Sequence, residues 1–382
     1  MSALPKEILK QGSLKQHRVL VISHVKEVRN ANGGTVFTSG LIDLLKREFA
    51  DVHVEYVYQS TPRWRRARIA MAFLRSGLSG VAAKIEYFRV NDARERIGKS
   101  VERLLPDMVI FDHLETVLYA PLLDARVKKL LIQHNDEAAL YAQRVSRIGS
   151  PFLRAVLETE LKRLGRFQDK AYALCGNAIF LSADEASKAS KGSTLRSCTL
   201  MPSFDYPPIP VVKRPATELH LLFVGTMDWW PNTDALNWFV DEILDKLPGN
   251  VVLHVVGRGS ERLRERHPKI VAHGFVADRA DVWNLAPIFI APLRLGAGVN
   301  IKVAEAIHNG RALVATPQAL RGLSLEANDA IVSLESAEDW IALLSDSARV
   351  AALSSAAPTP ANRDSFGRER AQGRLVEYLE TL

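Results

Sequence analysis

Short apolar runs rich in Val, Ile and Leu recur along the chain, each four to seven residues long and followed by an amphipathic or polar stretch. Such continuous runs are typical of parallel strands buried on both faces, and the intervening stretches have the spacing of helices. Strands that alternate with helices predict an open parallel sheet covered on both faces. In the first half of the chain the predicted strands are HRVLVIS, VHVEYVY, DMVIFDH, KKLLIQHN and NAIFLSA.

The pattern restarts after residues 201–218, a stretch that holds five prolines and therefore indicates an interdomain linker. The second series of predicted strands is LHLLFVG, NVVLHVVG, KIVAHG, IFIAPL and ALVAT. We therefore expect an α/β fold with two Rossmann-like, doubly wound domains that face each other across a cleft. Ligands of such sheets lie at the carboxyl ends of the strands. The expected boundaries are 1–200 for the first domain, 201–218 for the linker, 219–362 for the second domain, and 363–382 for a terminal helix that returns to the first domain.

Composition supports a globular protein with two cores. The chain has 382 residues, of which 47% are hydrophobic and 24% charged. No apolar run approaches the length of a membrane span, and the N-terminus lacks the apolar core of a secretory signal. Cys175 and Cys198 are too few for a disulfide framework, which indicates a reducing compartment. We expect a cytoplasmic protein.

Positive charge is concentrated in the first half of the chain. Residues 1–206 hold 32 Lys and Arg against 22 Asp and Glu, whereas residues 207–382 hold 18 against 21. Within the basic half, residues 61–78 (TPRWRRARIAMAFLRSGL) mix five arginines with apolar side chains. One interpretation is an interfacial helix in peripheral contact with an anionic membrane. The alternative is a surface helix packed on its own sheet. Nucleic acid is not expected as a partner, because no recognised binding module accompanies the charge.

Several common catalytic and metal motifs are missing from the sequence. It contains no G-x-x-x-x-G-K-[ST], no G-x-S-x-G and no Asp-x-Asp pair, so we expect no bound metal and no cofactor. GRGSER, residues 257–262, begins like a dinucleotide fingerprint, but Arg262 stands at the third glycine position. A plain strand-to-helix turn explains it better.

A more specific pattern lies in residues 291–316, APLRLGAGVNIKVAEAIHNGRALVAT. Gly296 and Gly298 allow close approach of a ligand to the backbone, and the helix that follows presents free N–H groups at its N-terminus. Lys302 adds a positive charge, and Glu305, three residues later, shares its helix face. A carboxylate can accept two hydrogen bonds from a ribose diol. The alternative is an ordinary ion pair on the surface.

The segments FVGTMDWWPNTDALNWFVDEIL, HVVGRG, GFVADRADVW and APLRLGAGVNIKVAEAIHNGRALVATPQALRGL resemble the group 1, retaining glycosyltransferases of the GT-B fold. The resemblance is strong over about residues 219–325 and looser before them. It implies that the C-terminal domain holds a nucleoside-diphosphate sugar and that Glu305 binds the ribose. Ala297 stands where the first glutamate of that family's motif is expected. By the same resemblance the donor-binding residues are Gly225, Arg258, Phe275, Val276, Arg294, Gly296, Gly298, Lys302 and Glu305.

In the N-terminal half the resemblance implies that Gly33 and Gly34 approach the transferred phosphate and the acceptor, and that His134 is a catalytic residue close to the donor sugar. A histidine at the end of a strand can equally be a structural hydrogen-bonding residue.

The expected function is transfer of a sugar, with retention and without a metal, from a nucleotide sugar to an acceptor hydroxyl. The acceptor would be a saccharide or a lipid-linked intermediate of surface polysaccharide or glycolipid assembly. The protein would be cytoplasmic, at the inner face of the membrane where the basic helix is interfacial. Two alternatives are a sugar-nucleotide epimerase of the same fold and a catalytically idle GT-B scaffold subunit.

Overall fold

The computed structural model describes residues 14–25, 33–58, 64–211 and 217–382. The chain divides into two compact units. Among the described residues the first unit comprises 14–25, 34–58, 64–200 and 372–382, and the second comprises Gly33, 201–211 and 217–371. Residues 212–216 of the expected linker and Arg63 of the basic segment lie outside the described residues.

The first unit contains a six-stranded, all-parallel sheet in the order β2-β1-β3-β4-β5-β6. Its strands are β1 (Arg18–Ser23), β2 (Asp51–Tyr56), β3 (Met108–Asp112), β4 (Lys128–Gln133), β5 (Asn177–Phe180) and β6 (Arg196–Thr199). Its helices are α1 (Gly33–Glu48), α2 (Arg65–Ser79), α3 (Ala83–Glu86), α4 (Asn91–Leu104), α5 (Glu137–Val145), α6 (Pro151–Cys175) and α7 (Ala183–Ser190), with 3₁₀ turns at Leu14–Gln16 and Leu114–Leu122.

The second unit has another six-stranded parallel sheet, in the order β12-β11-β10-β7-β8-β9. Its strands are β7 (Leu219–Val224), β8 (Val251–Val256), β9 (Ile270–Gly274), β10 (Ile288–Ala291), β11 (Ala312–Ala315) and β12 (Ile331–Ser333). Its helices are α8 (Trp230–Glu242), α9 (Arg279–Trp283), α10 (Ile301–His308), α11 (Pro317–Leu320), α12 (Ala337–Ser345), α13 (Ser347–Ser355) and α14 (Pro360–Asp364), with 3₁₀ turns at Leu244–Lys246 and Ser260–Leu263.

A final helix, α15, spans Arg368–Leu379, within the region 363–382 where the sequence predicts a terminal helix. Its C-terminal part belongs to the first unit, where the Tyr378 hydroxyl donates to the Arg196 carbonyl at 2.8 Å. The Gln372 side chain also donates to Glu48 on α1. The terminal residues therefore return to the first unit after the chain has formed the second.

The centres of both sheets are apolar because helices cover both faces. Leu20, Ile22, Val109 and Phe111 on β1 and β3 are fully buried, as is Leu131 on β4. Full burial of one such side chain contributes about 1.5–3 kcal/mol. The ten strands predicted from apolar runs are all present. The two that were not predicted, β6 and β12, lie at sheet edges, where the sequences RSCT and IVS are only half-buried or exposed.

The order of each sheet reverses direction at one point. In the first unit the reversal lies between β1 and β3, and in the second between β7 and β10. Helices that leave two adjacent strands toward opposite faces open a crevice beyond the carboxyl ends of those strands, and ligands of doubly wound sheets bind there. The residues at these two positions form the candidate sites described next.

Candidate functional site

Three glycines hold the carboxyl ends of β7, β8 and β9 close together. The Gly225 amide donates to the Val256 carbonyl at 2.8 Å, and the Gly257 amide donates to the Gly274 carbonyl at 2.7 Å. A Cβ on Gly257 would lie 2.1 Å from the Gly225 carbonyl oxygen, and Gly257 has a φ of 134°. Only glycine fits this position. The G-x-G of GRGSER therefore serves backbone packing at a strand-to-helix turn.

Asn232, in the first turn of α8, links the loop after β7 to α10. Its amide nitrogen donates to the Thr226 carbonyl at 2.9 Å, and its amide oxygen accepts from Lys302 Nζ at 3.2 Å. A Cβ on Gly225 would lie 2.9 Å from this amide group, so the predicted glycine makes room for Asn232. Gly225 and Lys302, 77 positions apart, are thereby brought to one site at the switch point of the sheet.

Lys302 is a cation with a neutral partner. The Asn300 side chain caps α10 by accepting from the Lys302 amide at 3.1 Å, which places the lysine in the first helical turn. Burial lowers the pKa of Lys302 to about 8, although the charge of Glu305 acts in the opposite direction. A desolvated ammonium group beside a helix N-terminus is well suited to an anion.

Glu305 makes its contacts away from Lys302. The Tyr206 hydroxyl donates to Glu305 Oε1 at 2.8 Å, Arg279 Nε lies 3.6 Å from the same oxygen, and the Trp283 indole also donates to this carboxylate. The Glu305 side chain is 14% exposed. Burial raises its pKa, and these donors partly offset that effect. A surface ion pair of Lys302 with Glu305 is therefore the wrong description of these two residues.

The loop between β10 and α10 contains the other two predicted glycines. Gly296 has a φ of 138° and Gly298 one of 71°, so both adopt backbone conformations that favour glycine. A Cβ on Gly296 would meet no atom within 4 Å, so the space beside it is open. The Gly296 carbonyl accepts from the Gln318 side chain at 3.0 Å. Gln318 thus holds the loop backbone at Gly296, and the position that a Cβ of Gly296 would occupy is open.

The two arginines predicted to bind the donor, Arg294 and Arg258, have different surroundings from Lys302. Arg294 forms a bidentate pair with Asp234 on α8, at 3.2 and 2.9 Å, and lies 5.4 Å from the centre of the Trp238 ring. The structure therefore ties Arg294 to an aspartate of its own unit. Arg258 is exposed, and its carbonyl accepts from the Met227 amide at 2.9 Å.

Phe275 and Val276 directly follow β9. Phe275 is 52% exposed. Asp278 caps α9, and Arg279, the first residue of that helix, reaches Glu305. The turn predicted to hold the base and the glutamate predicted to hold the ribose are therefore joined by one short helix.

In the first unit, Asp112 at the end of β3 is the centre of a buried polar cluster. Its Oδ2 accepts from Ser23 at 2.6 Å and from Thr38 at 2.9 Å, and its Oδ1 lies 2.7 Å from His134 Nε2. Burial alone would raise the pKa of Asp112, but His113 and His134 hold it well below its usual range. The predicted catalytic histidine is thus oriented by a buried, ionised carboxylate at the β1–β3 switch point.

Three histidines surround this carboxylate. The His113 and His134 rings are stacked, with centroids 3.5 Å apart and planes 11° apart, and His24 lies 4.3 Å from His113. Burial and the neighbouring His113 lower the pKa of His24 to about 3, so His24 is neutral at pH 7. Burial would lower the pKa of His113 as well, but Asp112 raises it. His113 has a φ of 77°, an uncommon backbone conformation for a residue with a Cβ.

Asp112, His113 and His134 form the only group among the described residues whose ligand atoms could hold a metal ion, all lying within 4.8 Å of one another. The lone pairs of an imidazole lie in the ring plane. Two nearly parallel rings stacked at 3.5 Å cannot both direct those lone pairs at one ion. The arrangement fits two histidines sharing a carboxylate better than it fits a metal centre.

Gly33 and Gly34 form the first turn of α1, whose N–H groups have no helical partner. One turn later, Phe37 contacts the His134 ring edge-on at 5.1 Å, and Thr38 donates to Asp112. Phe37 and Thr38 of α1 therefore lie next to His134 and Asp112. The roles predicted for Gly33, Gly34 and His134 stay predictions.

The basic segment forms helix α2, but its arginines fall into two groups. The Arg68 guanidinium lies over the Tyr58 and Tyr87 rings and donates to the Tyr58 hydroxyl, and Arg75 donates to the Arg89 carbonyl. Arg65 and Arg66 are exposed. Apolar side chains are exposed on the same segment, among them Trp64, Met71, Leu74 and Leu78.

Sequence reasoning did not identify several residues that shape these sites. Asp112 and His113 lie at the carboxyl end of a predicted strand, and this position is where ligands of doubly wound sheets bind, so the sequence could have indicated them. Asn232, Tyr206 and Arg279 lie 70, 99 and 26 positions from the residues they contact, and no local pattern marks them.

Residues 218–347 match the family described as Glycosyl transferases group 1. These residues, about a third of the chain, are similar to the group 1 glycosyltransferases. The family resemblance seen in the sequence is thereby confirmed. A relative, an uncharacterized 44.6 kDa protein in the cps region of Klebsiella pneumoniae, is 25% identical over 236 residues. That match spans 58% of this chain and 59% of the relative.

Solved glycosyltransferase structures share the fold of the whole chain. Sucrose-phosphate synthase from Thermosynechococcus elongatus has a TM-score of 0.64 at 12% identity, with 95% of this chain and 98% of that chain covered. HepE from Anabaena, in complex with UDP and glucose, has a TM-score of 0.60 at 12% identity, covering 96% and 100%. The lipopolysaccharide outer core galactosyltransferase WaaB has a TM-score of 0.56 at 12% identity, covering 95% and 99%. Two doubly wound sheets of the GT-B type are therefore confirmed.

Two glycine substitutions separate backbone strain from steric exclusion. Both Gly257→Ala and Gly296→Ala force alanine into a positive φ, but only the former places a Cβ against backbone atoms. We expect Gly257→Ala to lower the free energy of unfolding by about 3 kcal/mol or more, and Gly296→Ala by about 1 kcal/mol. Urea denaturation of both variants measures the difference. Equal losses would show that the Gly225–Gly257 approach is not a constraint.

Proposed function

We propose that this protein transfers a sugar, with retention and without a metal ion, from a nucleoside-diphosphate sugar to an acceptor hydroxyl. The observation that carries the proposal is the half-buried Lys302 in the first turn of α10, which follows Gly296 and Gly298 in the loop and lies three residues before Glu305. This combination offers a positive charge and a carboxylate where a diphosphate and a ribose would lie side by side. HepE, which has the same fold, is described in complex with UDP and glucose.

Each group at this site has a chemical role in the proposal. Lys302 and the N-terminus of α10 stabilise the negative charge that grows on the diphosphate as the sugar leaves. Glu305 accepts hydrogen bonds from the ribose hydroxyls, and the turn at Phe275 and Val276 holds the base. The leaving diphosphate takes up the proton of the acceptor hydroxyl on the face it leaves, so no protein nucleophile is required. Catalysis then depends on positioning and charge stabilisation.

His134 acts on the sugar side in this scheme. Its Nε2 is held by Asp112, which fixes the ring orientation, and the N-terminus of α1 at Gly33 and Gly34 offers N–H groups to a phosphate or an acceptor oxygen. The acceptor we propose is a saccharide or lipid-linked intermediate of surface polysaccharide assembly. Two relatives support this: the Klebsiella pneumoniae protein lies in a cps region, and WaaB acts on the lipopolysaccharide outer core.

A GT-B subunit that binds a nucleotide without transferring a sugar is the alternative favoured by a specific observation. Ala297 stands where the resemblance places a glutamate that contacts the donor sugar. Screening UDP-, GDP- and ADP-sugars by thermal shift, followed by assays of nucleotide release with and without saccharide acceptors, distinguishes the two functions. Release that depends on the acceptor supports transfer, and tight binding without release supports the idle subunit.

We expect the affinity for a nucleoside diphosphate to depend on the charge of Lys302. Because its pKa in the free protein is about 8, affinity should fall as the pH rises above 8, by about tenfold per pH unit at the limit. Lys302→Met should weaken binding roughly 10- to 150-fold at pH 7. Calorimetry with UDP between pH 7 and 9.5 measures both effects.

Lys302→Arg is the matched control for that experiment, since an arginine stays protonated over the whole range. Its affinity profile should be flat where that of the wild type declines. Stability provides an independent check. A lysine whose pKa is lowered by folding destabilises the folded state while charged, so Lys302→Met should not lower the melting temperature. A declining profile for Lys302→Arg would assign the pH dependence to another group.

We expect donor binding to survive a chelator. The sequence has no Asp-x-Asp pair, and in the proposal Lys302 and the helix N-terminus supply the charge that a metal ion would otherwise supply. UDP affinity and turnover should therefore change less than twofold in excess EDTA. Loss of both with EDTA, and recovery with Mg²⁺ or Mn²⁺, would contradict the proposal. Asp112→Asn would then show whether the ion lies at Asp112, His113 and His134.

We also propose that α2 contacts an anionic membrane. Trp64, next in sequence to Arg65 and Arg66, is 75% exposed, and Leu78 at the other end of the helix is 83% exposed. Exposed apolar side chains next to cations suit the boundary between lipid headgroups and acyl chains. Among the described residues, none of the helices combines the length and the apolarity needed to cross a bilayer.

Arg65→Glu with Arg66→Glu should reduce co-sedimentation with vesicles that contain phosphatidylglycerol, and wild-type binding should weaken at high salt. Arg68 is left unchanged because it packs on Tyr58. The control pair Arg262→Glu and Arg349→Glu changes the net charge equally at exposed positions of the second unit. If both pairs sediment like the wild type, α2 is a surface helix with no lipid contact.

A further inference from the structure

The described part of the proline-rich segment, residues 201–211, is not an extended tether. It packs on its own unit, where the Ile209 amide donates to Asn309 Oδ1 at 3.0 Å and Arg311 donates to the Ile209 and Pro210 carbonyls. Within this segment, Tyr206 places its hydroxyl against Glu305, 99 positions later in the chain.

The Tyr206 hydroxyl has a partner on each side. It donates to Glu305 Oε1 at 2.8 Å and accepts from Asn309 Nδ2 at 3.1 Å. Asn309 Nδ2 also donates to the Glu305 carbonyl at 2.8 Å, which anchors it to the same helix. A hydroxyl that accepts from an amide donates its own hydrogen in a defined direction. That direction is toward the glutamate carboxylate.

The ring of Tyr206 is held as firmly as its hydroxyl. The Arg279 guanidinium lies 4.5 Å from the ring centre, and the His308 ring meets it edge-on at 5.1 Å. The His308 Nε2 atom lies 2.8 Å from the Tyr206 carbonyl oxygen, within hydrogen-bonding distance. Because ring and backbone are both fixed, Tyr206 cannot follow the carboxylate if the latter rotates. The carboxylate must instead adapt to Tyr206.

A carboxylate on a flexible side chain has to select one rotation before it can accept two hydrogen bonds from a diol. A fixed donor on Oε1 selects that rotation in advance. We propose that Tyr206 is a positioning residue that orients Glu305 for the ribose diol and so sets the preference for ribonucleotides. This inference rests on the proposed role of Glu305 in nucleotide binding.

Tyr206→Phe tests the inference, since it removes the hydroxyl and keeps the ring that packs on Arg279 and His308. Calorimetry with UDP and with 2′,3′-dideoxy-UDP reports how much affinity depends on the diol. We expect Tyr206→Phe to weaken UDP about tenfold and dideoxy-UDP less than twofold. Glu305→Ala should show the same selectivity with a larger loss of UDP affinity.

Tyr378→Phe is the matched control. It also removes a tyrosine hydroxyl with a hydrogen bond, to the Arg196 carbonyl in the first unit, and should leave both affinities unchanged. Melting temperatures of all three variants establish that they are folded. A purely structural Tyr206 would weaken both nucleotides equally or neither.

The loss of UDP affinity as the pH is lowered provides a second measurement. Tyr206 helps to keep the Glu305 carboxyl ionised, so in Tyr206→Phe the affinity should begin to fall at a higher pH than in the wild type. If Glu305→Ala loses the diol preference while Tyr206→Phe retains it with an unshifted profile, the positioning role is wrong and the proposed function stands. If Glu305→Ala retains the diol preference, the assignment of Glu305 fails, and the inference fails with it.

Discussion

The close approach of Gly225 and Gly257 is the constraint on which the second unit depends. Parallel strands bring their carboxyl ends to one edge, but the loops that follow still need room to pass each other. A single Cβ at position 257 would lie 2.1 Å from a carbonyl oxygen, so the two loops can touch only because that atom is missing. Their contact lets Asn232 reach across the switch point to Lys302. The position of the lysine is therefore a consequence of backbone packing one strand away.

The two units differ in how far protein groups stabilise a buried charge. In the first unit Asp112 is fully buried, accepts hydrogen bonds from Ser23 and Thr38 and lies 2.7 Å from His134 Nε2, so its charge is stabilised within the protein. In the second unit Lys302 has a neutral amide as its hydrogen-bond partner, and burial lowers its pKa to about 8. A charge that the fold leaves under-compensated costs stability, and a ligand of opposite charge can recover that cost. This difference indicates an orienting role for Asp112 and an anion-binding role for Lys302.

The charge of Glu305 is stabilised by more protein groups than that of Lys302, but its carboxylate is less completely buried than that of Asp112. Its carboxylate is largely buried, and Tyr206, Trp283 and Arg279 surround it without excluding it from solvent. Tyr206 comes from the segment before β7, and Arg279 and Trp283 come from α9, so the exact orientation of the carboxylate is a property of the folded unit. Helix α10 supplies the glutamate. Tyr206, in residues 201–211, and helix α9 determine where the oxygens of its carboxylate point.

Much of the fold could be predicted from the sequence because its signals are local. Short apolar runs marked ten of the twelve strands, and glycine, lysine and glutamate within ten positions marked the loop and first turns of α10. The edge strands β6 and β12 were not predicted, because they are short and their side chains are only partly buried. Their sequences therefore lack a continuous apolar run. What tertiary structure alone decided is which charged groups have partners. Arg294 pairs with Asp234 and Arg68 packs on Tyr58, whereas Lys302 faces an amide. Those partners lie 10 to 70 positions away, and a contact at that distance depends on how strands are ordered in a sheet, which no local pattern encodes.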